Sequence, residues 1–72
     1  MYKLENIKPG DRVVVASLHG GANMSGVVTG TDPEGAHGQP TIDFTLLYAG
    51  EADAEFPNRW AYVRQVIAVV TV

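Results

Sequence analysis

Valine is concentrated where it most restricts the chain: Val13-Val14-Val15 near the start, Val27-Val28 in the middle, and Val66, Val69, Val70 and Val72 at the close. β-Branched side chains lose rotamer freedom in helices and fit the pleated surface of a sheet, so such clusters favour strands from end to end. Residues that turn the backbone separate them. Pro9-Gly10-Asp11-Arg12 feeds the first cluster, and Gly26 and Gly30 bracket the second.

Size then limits what those strands can build. A chain of 72 residues has room for one domain and buries a smaller share of its surface than a larger one does. With no cysteine it has neither a disulfide framework nor a thiolate zinc site, two of the usual supports of a mini-protein. Oligomerisation is the support that remains. The hydrophobic share of 46% points the same way, because in so small a domain some apolar side chains must stay on the surface or meet a partner. A homo-oligomer is therefore expected.

Charge and targeting signals narrow the partners. Net charge is −3, and Lys3, Lys8, Arg12, Arg59 and Arg64 do not cluster in sequence. Phosphate contacts dominate nucleic-acid affinity and each needs a placed cation, so nucleic acid is not an expected partner. Met1-Tyr2-Lys3-Leu4-Glu5-Asn6 carries charges where a signal peptide needs its apolar core, and no run approaches transmembrane length. No membrane association and a cytoplasmic location are expected, which makes the Asn23-Met24-Ser25 glycosylation pattern a chance match.

Along the chain, Leu4 and Ile7 lie in a lead-in where they can cap one end of a core. A first strand is predicted from Arg12 to Leu18, then a reversal at His19-Gly20-Gly21-Ala22-Asn23, then a second strand from Met24 to Thr31. Gly26 and Gly30 inside that strand mark a bulge, a bend or a close backbone approach. Asp32 to Pro40 is dense in turn formers and reads as a loop. From Thr41 to Tyr48 the pattern alternates, with Ile42, Phe44, Leu46 and Tyr48 on one face and Thr41, Asp43 and Thr45 on the other. Ala49 to Asn58 is a connection. Arg59 to Val72 also fits a helical face through Trp60, Val63 and Ile67, but its aromatic and β-branched content favours two strands split by a turn near Arg64-Gln65.

Five strands, a glycine-flanked second strand and a turn between the fourth and fifth resemble the SH3-like small barrels, a group that includes KOW and Tudor modules. Ile7-Lys8-Pro9-Gly10-Asp11-Arg12-Val13 looks like their opening, and Gly26-Val27-Val28-Thr29-Gly30 like the strand that follows. The resemblance implies an all-β, five-stranded SH3-like small barrel spanning residues 1–72. Gly10-Asp11-Arg12-Val13, Gly26-Val27-Val28 and Pro33-Glu34-Gly35 are also similar to type II dihydrofolate reductase, which builds one active pore from four small barrels. That family's pore-lining Val-Gln-Ile-Tyr run is replaced here by Trp60-Ala61-Tyr62-Val63, without the glutamine. What the likeness implies is assembly around a symmetry axis, with a small oligomeric enzyme of that format as the alternative function.

Four groupings carry candidate chemistry. His19-Gly20-Gly21-Ala22 has the look of an oxyanion-hole strip but reads better as a hairpin turn, since no Gly-x-Ser-x-Gly elbow accompanies it. Asp32, Glu34 and His37 offer oxygen and nitrogen donors for a divalent metal, against the plainer reading of a solvated loop. Glu51, Asp53 and Glu55 share a face in extended backbone but lack an EF-hand's glycine and helices. The fourth grouping leads: Tyr48, Phe56, Trp60 and Tyr62 bracket Glu51 and Asp53, and aromatic faces beside carboxylates suit a cationic or methylated ammonium group. The competing reading makes these aromatics core and rim. Ser17 and Ser25 lack an evident base, so nucleophilic catalysis is not expected. No cofactor is implied. The expectation is a non-enzymatic module that binds a protein, a peptide or a small cationic ligand through an aromatic-acidic rim.

Overall fold

The computed structural model describes residues 2–18, 20–47 and 57–70. Among them are five antiparallel strands, β1 (Arg12–Val15), β2 (Met24–Ala36), β3 (Gln39–Leu46), β4 (Asn58–Tyr62) and β5 (Val66–Val70), in the order β4-β3-β2-β1-β5. Two single 3-10 turns, Leu4–Asn6 and Val63–Gln65, are the described helical segments. The described part of the chain is thus all-β, as expected. β4 and β5 stand at opposite ends of the order and are not paired with each other, so the sheet is open.

The opening turn has a specific construction. Pro9 presets one φ, Gly10 takes φ 96°, and the Asp11 N–H donates to the Lys8 carbonyl at 3.0 Å, the arrangement of a type II turn. The Asp11 carboxylate turns inward, is buried, and accepts from the Lys8 N–H at 3.0 Å. β1 then alternates, with Val13 and Val15 buried and Arg12 and Val14 facing out. It ends at Val15 rather than Leu18. The reason is Gln65, whose backbone carbonyl accepts from the Ala16 N–H and whose side-chain amide donates to the Ala16 carbonyl, both at 2.9 Å. Ala16 is thereby drawn toward the 3-10 turn, and Leu18 stands exposed.

The predicted loop from Asp32 to Pro40 is corrected most heavily. β2 runs on to Ala36 and β3 begins at Gln39, joined by a two-residue turn in which His37 (φ 53°) and Gly38 (φ 72°) both adopt positive φ, as a type I′ hairpin needs. The turn formers before it are absorbed into a bulge. Asp32 pairs with Thr41 and Ala36 with Gln39, so Pro33-Glu34-Gly35 bows out of register while the Asp32 carboxylate accepts from the Glu34 and Gly35 N–H groups at 3.0 Å. β3 accordingly starts and stops two residues earlier than predicted.

Both glycine expectations in β2 hold. At Gly26 a β-carbon would lie 2.5 Å from Phe44 Cδ2, a close approach only glycine permits. Gly30 adjoins a second bulge, since Val28 faces Phe44 and Gly30 faces Asp43, leaving Thr29 extra. The core gathers Ile7, Val13, Val15, Val28, Ile42, Phe44, Ala61, Val63 and Val66, with Leu4, Met24, Leu46 and Val69 packed against it. Leu4 and Ile7 cap it as the sequence predicts. The segment after Arg59 divides into strand, turn and strand at the predicted place.

Candidate functional site

Alternation on β4 decides where its aromatics go. Ala61 is buried in the core, so Trp60 and Tyr62 project from the opposite, outer face of the sheet. Trp60 is 55% exposed, so it is not a core residue. Tyr62 is 9% exposed. Their rings meet edge to face, with centroids 5.4 Å apart and planes at 80°, which sets the positive edge of one against the negative face of the other.

Strand register brings carboxylates to this pair. Trp60 lies directly across from Asp43 on β3, and Asp43 across from Gly30 on β2. Side chains opposite each other in an antiparallel pair approach within about 5 Å, so the exposed Asp43 is the acidic neighbour of the tryptophan. Its direct partner on the other side, Gly30, has no side chain to set beside Asp43. In the next row, Tyr62 faces Thr41 and Thr41 faces Asp32. Thr41 is buried beneath the bulge, where a β-carbon on Gly35 would come within 2.5 Å of its methyl group.

A cation already rests on this surface. The 3-10 turn that follows β4 brings the Arg64 guanidinium over the Tyr62 ring, 4.9 Å from its centroid. Gln65 holds the turn in place, because its side-chain oxygen accepts from the Tyr62 N–H at 2.9 Å. The ring face of Tyr62 is therefore engaged internally, whereas Trp60 offers its exposed surface beside Asp43.

Of the six residues predicted to bind ligand, Trp60 and Tyr62 are brought together. Tyr48, Glu51, Asp53 and Phe56 lie outside the described residues, as do Glu55 and His19. Sequence reasoning missed Asp43 and Gly30 as members of the patch. The signal available was Asp43 on the polar face of the cleanest strand; its pairing with Trp60 is a property of register between distant strands. The proposed metal donors are otherwise occupied in part, since Asp32 caps the bulge, and among the described residues no group of three or more acidic, histidine or cysteine side chains is placed to hold an ion. A concavity of about 710 Å³ is a shallow open dish lined by Lys3, Leu4, Glu5, Thr31 and Pro33. It shares no residue with the aromatic patch, and its one cation and one anion give it no net preference for either charge. Among the described residues no helix is long and apolar enough to cross a membrane. No protein-family model, curated protein or solved structure matches the chain, so the functional reading rests on its own side chains.

Proposed function

We propose that the protein is a non-enzymatic binding module of the SH3-like small-barrel type that holds a cationic side chain of a protein or peptide against Trp60, with Asp43 as the counter-charge. The observation that carries this reading is a tryptophan more than half exposed and directly across a strand pair from a carboxylate. An indole face attracts a cation by about 0.5–1 kcal/mol at an exposed site, and a neighbouring carboxylate adds to it. Arg64 on Tyr62 supports the same chemistry, and a net charge of −3 favours cationic partners. Strand order and the 3-10 turn between β4 and β5 support the small-barrel assignment. The alternative, an enzyme with a pore on a symmetry axis, gains nothing from Ala61, which stands in the segment compared with that family's pore lining and is buried.

Trp60 is the only tryptophan, so fluorescence excited at the red edge of the absorption band, where the three tyrosines do not absorb, reports this site alone. Titration with oligoarginine and oligolysine peptides should change its emission saturably, oligoglutamate should not, and Asp43→Asn should weaken the response several-fold. Equal responses to both charges, or indifference to Asp43→Asn, would refute the proposal.

A further inference from the structure

Among the described residues β5 is an edge strand guarded by a single bulge at Ile67, since Val14 pairs with Ala68 and Val15 with Val66, and not by its composition. Val66-Ile67-Ala68-Val69-Val70 contains no charge and no proline, and Ile67 and Val70 are 52% and 59% exposed. The other edge, β4, carries Asn58 and Arg59. Charge is distributed to match: none of the eight acidic residues belongs to β1 or β5, while β2 and β3 carry Asp32, Glu34 and Asp43. Along β1 and β5, then, two copies of an acidic chain can meet without a carboxylate of either strand opposing another.

Backbone direction makes the edge usable. Antiparallel strands alternate residues whose N–H and C=O point to one neighbour or the other. The Val28 N–H donates to the Asp11 carbonyl, which turns Asp11 and, two residues on, Val13 toward β2. Val13 is the partner of Val69 on the β5 side, so that pair is not hydrogen-bonded and the Val69 N–H and C=O face the open edge. Beside it, on the outer face, a groove of about 190 Å³ runs between Val70 and Leu47 over Val14, Ser25 and Ala68, with Arg12 at its wall.

We propose that a second copy of this chain pairs antiparallel with β5 across a two-fold axis at Val69, extending the sheet through both molecules. In that register each Val69 exchanges both backbone hydrogen bonds with its counterpart, and each Val70 falls opposite the other copy's Ala68, at the groove. Ala68, Val69 and Val70, the described residues so opposed, are all apolar, which a self-complementary interface requires. The aromatic patch lies at the far end of the strand order, so the dimer leaves it open.

The test uses the full chain in sedimentation velocity at tens of micromolar. The wild type is expected to dimerise reversibly, Val70→Lys to weaken dimerisation at least tenfold while keeping the wild-type circular dichroism spectrum, and Trp60→Ala to leave it unchanged. Because the chain has no cysteine, Val69→Cys gives a second readout: mild oxidation should yield a disulfide-linked dimer, and Trp60→Cys should not. Monomeric wild type, a dimer indifferent to Val70→Lys, or no cross-link through position 69 would each overturn the proposal. Loss of cation binding in a protein that still dimerises would sink the ligand reading alone.

Discussion

Gly26→Ala and Gly30→Ala place the same methyl group on one strand, four residues apart, and should move stability in opposite directions. At Gly26 the new carbon would sit 2.5 Å from Phe44 Cδ2 and 2.8 Å from the Thr45 carbonyl oxygen. Neither can retreat: Phe44 is 1% exposed at the centre of the core, and the carbonyl belongs to the paired backbone of β3. Overpacking of this kind costs about 1–3 kcal/mol. At Gly30 the nearest atom would be Asp43 Oδ2 at 3.7 Å, an ordinary contact, and φ is not positive. There the lost freedom of the unfolded chain dominates and stabilises by about 0.4–1 kcal/mol. For a domain of this size each kcal/mol shifts Tm by roughly 4–8 °C. Thermal unfolding followed by circular dichroism should therefore lower Tm by at least about 4 °C for Gly26→Ala and raise it by about 2–8 °C for Gly30→Ala. If Gly30→Ala proved as costly as Gly26→Ala, glycine in β2 would be answering to backbone conformation rather than to space, and the close approach to Phe44 would lose its explanatory role.

Two further substitutions probe the joints of the sheet. Gln65→Ala removes the acceptor for the Tyr62 N–H and the donor to the Ala16 carbonyl, and should cost about 1–3 kcal/mol in urea denaturation with an unchanged slope; Gln65→Glu, which keeps the acceptor but not the donor, should not restore it. His37→Asn, placing at φ 53° a residue that tolerates the left-handed region, should raise Tm by a few degrees, whereas His37→Val should lower it by more, a difference read in a single melting series.

What the sequence disclosed follows from where phase information exists. Ile42 and Phe44 alternate with Thr41, Asp43 and Thr45, so polarity alone fixes which face is inward, and both apolar residues are buried. Trp60-Ala61-Tyr62-Val63 is apolar on both faces and carries no such signal; only its packing shows that Ala61 and Val63 face the core and Trp60 does not. The stretch from Asp32 to Pro40 misled for a different reason. Its turn-forming residues do bend the chain, but into a bulge and a type I′ turn within a continuing hairpin, because Thr41 and Ile42 still find partners on β2. Asp43 was visible as an exposed strand residue, yet its place beside Trp60 depends on how β4 docks on β3, a pairing that no local pattern encodes.

The two-residue connection between β2 and β3 also sets an order in time. A hairpin closed by His37-Gly38 can form in about 1–10 μs, since its ends are already adjacent. β5 has no such advantage: Val15 must find Val66 across more than two thirds of the chain, and the clamp between Gln65 and Ala16 spans nearly as much. The β2–β3 hairpin is then the natural nucleus and β5 the last strand to dock. On that order the strand that exposes Ile67 and Val70 waits longest, so crowded refolding is expected to favour contacts between chains at that segment before the sheet is complete.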